Sequence, residues 1–244
     1  MGRPSAARRW IRRALIVLAP FVIGYVVLMA RPHLLFPYQA RAGNVVLHMR
    51  VPATSPARAI AAAAQQRVSR SPLYRAQDTY DVFLCDTPAL FAFFAPVNRN
   101  VGGIADVYLT RYVFLRPSRL DRDRLVGPSG VEAAGDRTLT YFIAHEITHI
   151  ITARHLGSWR YIGLVVWQRE GYADYVGKGS RFDFAAALRD FRAGTKDFDP
   201  RRSGLYLRYH LLVAELLDRR GMSVQELLSH GMPAAPIEGA LLAR

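Results

Sequence analysis

The chain has 244 residues, 51% of them apolar and 21% charged, enough for one domain with a sizeable core, and too apolar for wholesale disorder. Its single cysteine, Cys85, excludes a disulfide scaffold and a cysteine-held structural zinc. A formal charge of +14 raises nucleic-acid binding, yet the basic residues make no helix face and no aromatic-interleaved platform, so no nucleic-acid partner is expected.

Five arginines (Arg3, Arg8, Arg9, Arg12, Arg13) stand ahead of an uncharged run, Ala14 to Ala30, which Arg31 closes. As a helix this run spans about 26 Å, slightly less than a hydrocarbon core of about 30 Å; Trp10, Ile11 and the stretch from His33 to Phe36 extend it at the interfaces. The arginine excess places the N-terminus in the cytoplasm. The expected organisation is a basic cytoplasmic tail (1–13), a transmembrane signal anchor (14–30), a linker (31–42) and an exported domain (43–244). A cleaved signal peptide competes with the anchor. Against it, the run is longer than the usual h-region of about 7–15 residues, and the nearest small-x-small site, Ala40-Arg41-Ala42, lies well past its end.

The exported part reads as α+β. Val45 to Met49 suits a short strand, and Thr54 or Ser55 caps an alanine-rich helix from Pro56 to about Ser69. Thr79 to Cys85 is a second strand. Pro88 to Ala95 fits a strand or a short helix. Asp106 to Arg116 carries strand-forming residues and predicts one long strand or a hairpin, followed by a polar connector from Arg119 to Gly135. A helix then runs from an Asp136 cap to His155, its apolar residues Leu139, Phe142, Ile143, Ile147 and Ile150 at three- and four-residue spacing. Further helices are expected over Leu164–Val176, from Gly204 to about Arg219, and over Ser223–Leu228.

Within the first of these helices, His145-Glu146-Ile147-Thr148-His149 is H-E-x-x-H. Residues four apart share a helix face, so both imidazoles can reach one metal ion. Glu146, one step round, is placed to hold a water beside that metal. Zinc hydrolysis needs this set: two neutral nitrogen ligands, a third protein ligand, and an open position. The plainer reading, two surface histidines, conflicts with the apolar residues around the motif.

Glu170 follows His149 by 21 residues, within Trp167-Gln168-Arg169-Glu170-Gly171-Tyr172-Ala173-Asp174-Tyr175. The two elements together resemble the gluzincin metallopeptidases, the thermolysin and aminopeptidase type, in which H-E-x-x-H precedes a helix bearing E-G-x-A-x-Y or E-x-x-x-D. The resemblance covers about 140–225 and implies a zincin-like fold behind the anchor helix. It makes His145, His149 and Glu170 ligands of Zn2+, Glu146 the general base, and Asp174 the carboxylate that hydrogen-bonds a ligand histidine. It places Tyr206 as donor to the developing oxyanion, with Tyr209 and His210 near enough to take that role. The strand around Tyr108 to Leu115 corresponds to the edge strand on which zincins lay an extended substrate. His155 competes as third ligand in the metzincin manner, but Thr152 stands where that family needs a turning glycine.

The resemblance thus implies a small membrane-anchored bacterial zinc metallopeptidase at the inner membrane, its catalytic domain periplasmic or extracellular, acting on a peptide or protein substrate. No G-x-M-E-N segment is present to capture a free amine, which favours endopeptidase over aminopeptidase action. The alternative is a catalytically silent peptidase-like protein that binds a peptide or protein at the membrane.

Overall fold

In the computed structural model, which describes residues 6–195, Phe198 and residues 207–243, five strands form one mixed sheet. They are Tyr38–Ala42 (β1), Val45–Met49 (β2), Tyr80–Leu84 (β3), Gly103–Ala105 (β4) and Val113–Leu115 (β5), in the order β1-β2-β3-β5-β4. The three central strands run parallel; β1 and β4 close the edges antiparallel. The parallel step from β2 to β3 needs a crossover, supplied by the helix Ser55–Val68 (α2).

Alternation along the strands sends side chains to two different cores. Val45, Leu47, Met49, Val82, Leu84 and Leu115 join the main core with α2 and the helix Leu139–Leu156. Phe83 and Phe114 point the other way, into an aromatic layer with Phe36, Phe91 and Phe94. A strand covered on both faces has no polar side; all five residues of β2 are buried.

The helices of the main core start and stop on local chemistry. Thr138 accepts from the backbone of Tyr141, and Asp123 from that of Thr140, to open Leu139–Leu156; Gly157, at φ 82°, ends it. Next come the short helix Ser158–Gly163, the helix Val166–Lys178, and the helix Leu207–Ala214, which continues as one wider turn over Glu215–Arg219. Gly171 lets Val166–Lys178 and Leu207–Ala214 touch: a Cβ there would stand 2.7 Å from the Tyr209 carbonyl oxygen.

Several expectations change. The stretch 31–42, read as a linker, contains β1, paired to β2 from Tyr38 to Ala42. Pro88–Phe94 is a helix, begun by Thr87 accepting from the Leu90 amide. The segment 106–116 is not one long strand: only Val113–Leu115 is extended, and it is the second strand of a hairpin whose first strand, β4, lies before the segment. Upstream of Val113, the Asp106 carboxylate takes the amides of Tyr108, Leu109 and Thr110, and Arg111 sits at φ 61°. A side chain that captures three successive amides makes a turn, whatever the β-propensity of the residues between.

The N-terminal helix (α1) spans Ala6–Ala30. Among the described residues, no helix is long and apolar enough to cross a membrane. Its consecutive residues Leu15, Ile16, Val17 and Leu18 are all 56–62% exposed, so no one side of this helix is covered by the domain. Among the described residues, its C-terminal end docks, through Met29 against the aromatic layer and Tyr25 donating to the Phe93 carbonyl.

Candidate metal centre

The helix Leu139–Leu156, here α4, is buried along nearly its whole length, and His145, Glu146 and His149 are 5%, 7% and 8% exposed. Three polar side chains on a buried helix need partners close at hand. The next long helix, Val166–Lys178 (α6), crosses α4 and supplies them. Gly177 makes that crossing close, since a Cβ there would meet the Tyr141 ring at 3.1 Å and His145 Cβ at 3.3 Å.

The result is a triangle of donor atoms. The Nε2 atoms of His145 and His149 are 3.1 Å apart, and Glu170 Oε2 lies 3.4 Å from each. Ligands of a tetrahedral zinc, at bond lengths of about 2.0–2.2 Å, stand about 3.3 Å from one another. The three donors therefore match the edges of a zinc tetrahedron, and their chemistry, two imidazoles and a carboxylate, suits that ion. His155 is exposed on the last turn of α4 and has no part in the triangle.

Each side chain of the triangle is oriented from behind. The Tyr161 hydroxyl lies 2.7 Å from His149 Nδ1, which leaves Nε2 to face the triangle. The Tyr141 hydroxyl lies 3.4 Å from His145 Nδ1 and donates to Asp174 Oδ1 at 2.5 Å. Asp174 Oδ2 accepts from His210 Nδ1 at 2.9 Å and pairs with Lys178 Nζ at 3.3 Å. Asp174, expected to hold a ligand histidine, thus reaches His145 by way of Tyr141. Arg169 donates to Glu170 Oε1 at 3.3 Å, with its guanidinium over the Tyr161 ring, and turns Oε2 toward the histidines.

Charge follows this layout. Burial pushes the Glu146 carboxyl up to about 7, His149 opposing and Glu170 adding to the rise. Burial also disfavours ionised Glu170, but His149 and the hydrogen bonds from both histidines outweigh it and hold that carboxyl well below its usual range. Asp174 behaves likewise: burial raises it, and the His210 bond and the Lys178 charge carry it far below normal. Two carboxylates on neighbouring helices are so pushed apart, one kept ionised toward the imidazoles and one poised to hold a proton.

The edge strand beside the site is β4, and not the Tyr108–Leu115 segment, whose extended part β5 is interior. Gly103 of β4 faces Glu146 so closely that a Cβ would lie 3.1 Å from Glu146 Oε1 and 2.3 Å from Leu115. Glycine here lets an edge strand, with unpaired backbone groups on its outer side, pass directly over the Glu146 carboxyl. Tyr206 lies outside the described residues. His210 is fully buried and engaged with Asp174, so it does not point at the triangle.

Tyr141, Tyr161, Arg169 and Gly103 were missed from sequence. Tyr141 was within reach, four residues before His145 and so on the same face of the helix. Tyr161 and Arg169 act across a turn, and no spacing rule reports that. A separate cavity of about 680 Å³ lies against the opposite face of α6, between Arg67, Tyr172, Tyr175 and Phe182, and meets the network only at His210. Among the described residues, the cavity holds no convergent set of ligand atoms, whereas the triangle does.

No family model, no curated protein and no solved structure matches this chain.

Proposed function

We propose that the chain is a membrane-anchored zinc metallopeptidase that cleaves within peptide chains, with His145, His149 and Glu170 as the metal ligands. What carries the reading is the triangle of donor atoms at 3.1–3.4 Å, with Glu146 adjoining it. A zinc ion supplies a Lewis acid that polarises a scissile carbonyl and acidifies water. Glu146 takes the proton from the attacking water and delivers it to the leaving nitrogen, a task for a carboxyl whose pKa stands near neutrality. An extended peptide pairs its backbone with β4, which brings the scissile bond over Glu146. The fold is zincin-like in this reading: an edge strand over a helix that bears two ligands, with the third on the next helix. The anchor reading rests on α1, whose described apolar side chains from Leu15 to Ile23 are exposed. With a basic tail before it, that helix places the domain on the periplasmic or outer side.

The test is Glu146→Gln. The variant is expected to keep about one zinc per chain at the triangle while losing peptide hydrolysis by at least about a hundredfold, the scale of general-base catalysis. Hydrolysis at the wild-type rate in a zinc-loaded Glu146→Gln chain overturns the assignment.

A further inference from the structure

A second group of ligand-type side chains lies on the other face of the sheet. His48 on β2 and Asp81 on β3 alternate with residues of the main core, so both project into the aromatic layer, away from α4. His33 reaches them from the short 3-10 turn Pro32–Leu35 that follows α1. One ligand atom from each of the three lies within 4.8 Å of the others. His48 is 1% exposed; its Nε2 bonds Asp81 Oδ1 at 2.7 Å, while its Nδ1 is buried without a hydrogen-bond partner.

We propose that His33, His48 and Asp81 form a second divalent-cation site, of zinc-class preference, which ties the end of the N-terminal helix to the sheet. Two imidazoles and one carboxylate suit zinc and its neighbours and not calcium or magnesium, which take oxygen ligands. The pocket is preformed on three sides. Phe83 stacks against the His48 ring at 4.5 Å, and Phe83 and Tyr112 stand edge-on to His33 at 5.1 and 5.6 Å. Burial, aided by His48 and Arg31 and opposed by Asp81, lowers the pKa of His33, so a neutral ring presents a lone pair. Without the ion, the polar tie of His48 among the described residues is its bond to Asp81. With it, three segments far apart in sequence share one centre. Three protein donors leave a position open, so this site exchanges its ion more readily than a closed four-ligand site. The inference does not depend on the peptidase reading, since the sheet separates the two clusters.

The experiment is a Zn2+ titration of the full-length, detergent-solubilised chain after chelation, read as bound zinc per chain by equilibrium dialysis. The wild type is expected to bind about two equivalents. His33→Ala alone brings this to one, and His145→Ala/His149→Ala also leaves one. The triple variant binds none. Asp81→Asn, which keeps a hydrogen-bonding side chain beside His48, weakens the second equivalent by at least tenfold. Circular dichroism confirms that each variant is folded. Should the two-histidine variant of α4 be unstable, His33→Ala in the wild-type background decides alone. One equivalent in the wild type that His33→Ala does not alter overturns the proposal. Loss of the peptidase triad alone reads differently: His33→Ala would then remove the only zinc bound.

Discussion

Two buried tyrosines carry much of what the candidate metal centre requires. An imidazole ligates through one nitrogen, and the partner of its other nitrogen decides which way the ring faces and how basic it is. Tyr161 does this for His149 at 2.7 Å. Tyr161→Phe removes one oxygen and keeps the ring that packs under Arg169. Zinc affinity at the triangle is expected to fall about 10- to 100-fold, measured by competition with a chelator, while thermal unfolding of the metal-free chain moves little. Asp174 gives a different signature. It is buried, bonded to Tyr141 and His210 and paired with Lys178, so Asp174→Asn leaves Lys178, among the described residues, with the exposed Asp136 for a counter-charge and costs roughly 3 kcal/mol of folding stability. Its folded pKa lies below the ordinary value of 3.8, so the unfolded chain takes up the proton first as pH falls. The stabilisation is therefore complete above pH 3.8 and is lost as acidity rises beyond it. Denaturant unfolding of the metal-free wild type and variant is expected to show a constant gap from pH 7 to 5 that closes below pH 4. A gap that narrows between pH 7 and 5 counts against this.

Among the elements, legibility tracked length and chemistry. The helix carrying H-E-x-x-H was visible because its apolar stripe persists over five turns and Gly157 ends it, although its cap is Thr138 and not the expected Asp136. The helix carrying Glu170 was visible too, though it starts two residues later and ends two later than expected, at Val166 and Lys178. The two edge strands were not. β4 is three residues long, and β1, although Gln39 and Arg41 alternate with Tyr38, Ala40 and Ala42, carries alanines that do not favour strand. The segment after β4 misled in the opposite sense, being rich in strand formers that Asp106 nonetheless gathers into a turn. Close helix contact was equally silent in sequence, though it holds the site together. Gly171 follows Glu170, and in Gly171→Ala the new methyl meets the Tyr209 backbone at 2.7 Å and Val213 at 2.9 Å. Backbone cannot swing aside as a side-chain end can. The variant is expected to lose about 1–3 kcal/mol of stability and to bind zinc more weakly, because displacing Leu207–Ala214 moves His210 and with it Asp174. Unfolding and zinc titration on the same preparation check both; unchanged zinc affinity would separate the glycine from the site.

At the scale of the whole molecule, the N-terminal helix belongs to two environments. Its last turns are part of the domain: Met29 enters the aromatic layer, and Tyr25 packs edge-on against Phe93 at 5.0 Å while bonding its carbonyl. Before Tyr25 the apolar side chains from Leu15 to Ile23 have nothing over them. The described apolar stretch from Leu15 to Ala30 spans about 24 Å as a helix, less than a typical hydrocarbon thickness of about 30 Å; the arginines before it would have to extend toward headgroups for the helix to span. The anchor reading makes two linked predictions. The full-length chain co-floats with phosphatidylcholine–phosphatidylglycerol vesicles and stays with them after alkaline carbonate extraction, as an inserted helix does and a surface-bound one does not. A chain beginning at residue 31 does not float, and it is less stable than the full chain, because removing Tyr25 and Met29 uncovers part of the layer built on Phe83 and Phe114. Extraction of the full chain by carbonate would place the helix on the membrane surface or against another protein. Its exposed apolar residues would then have a different cover, and the docked end would be the only fixed part of the arrangement.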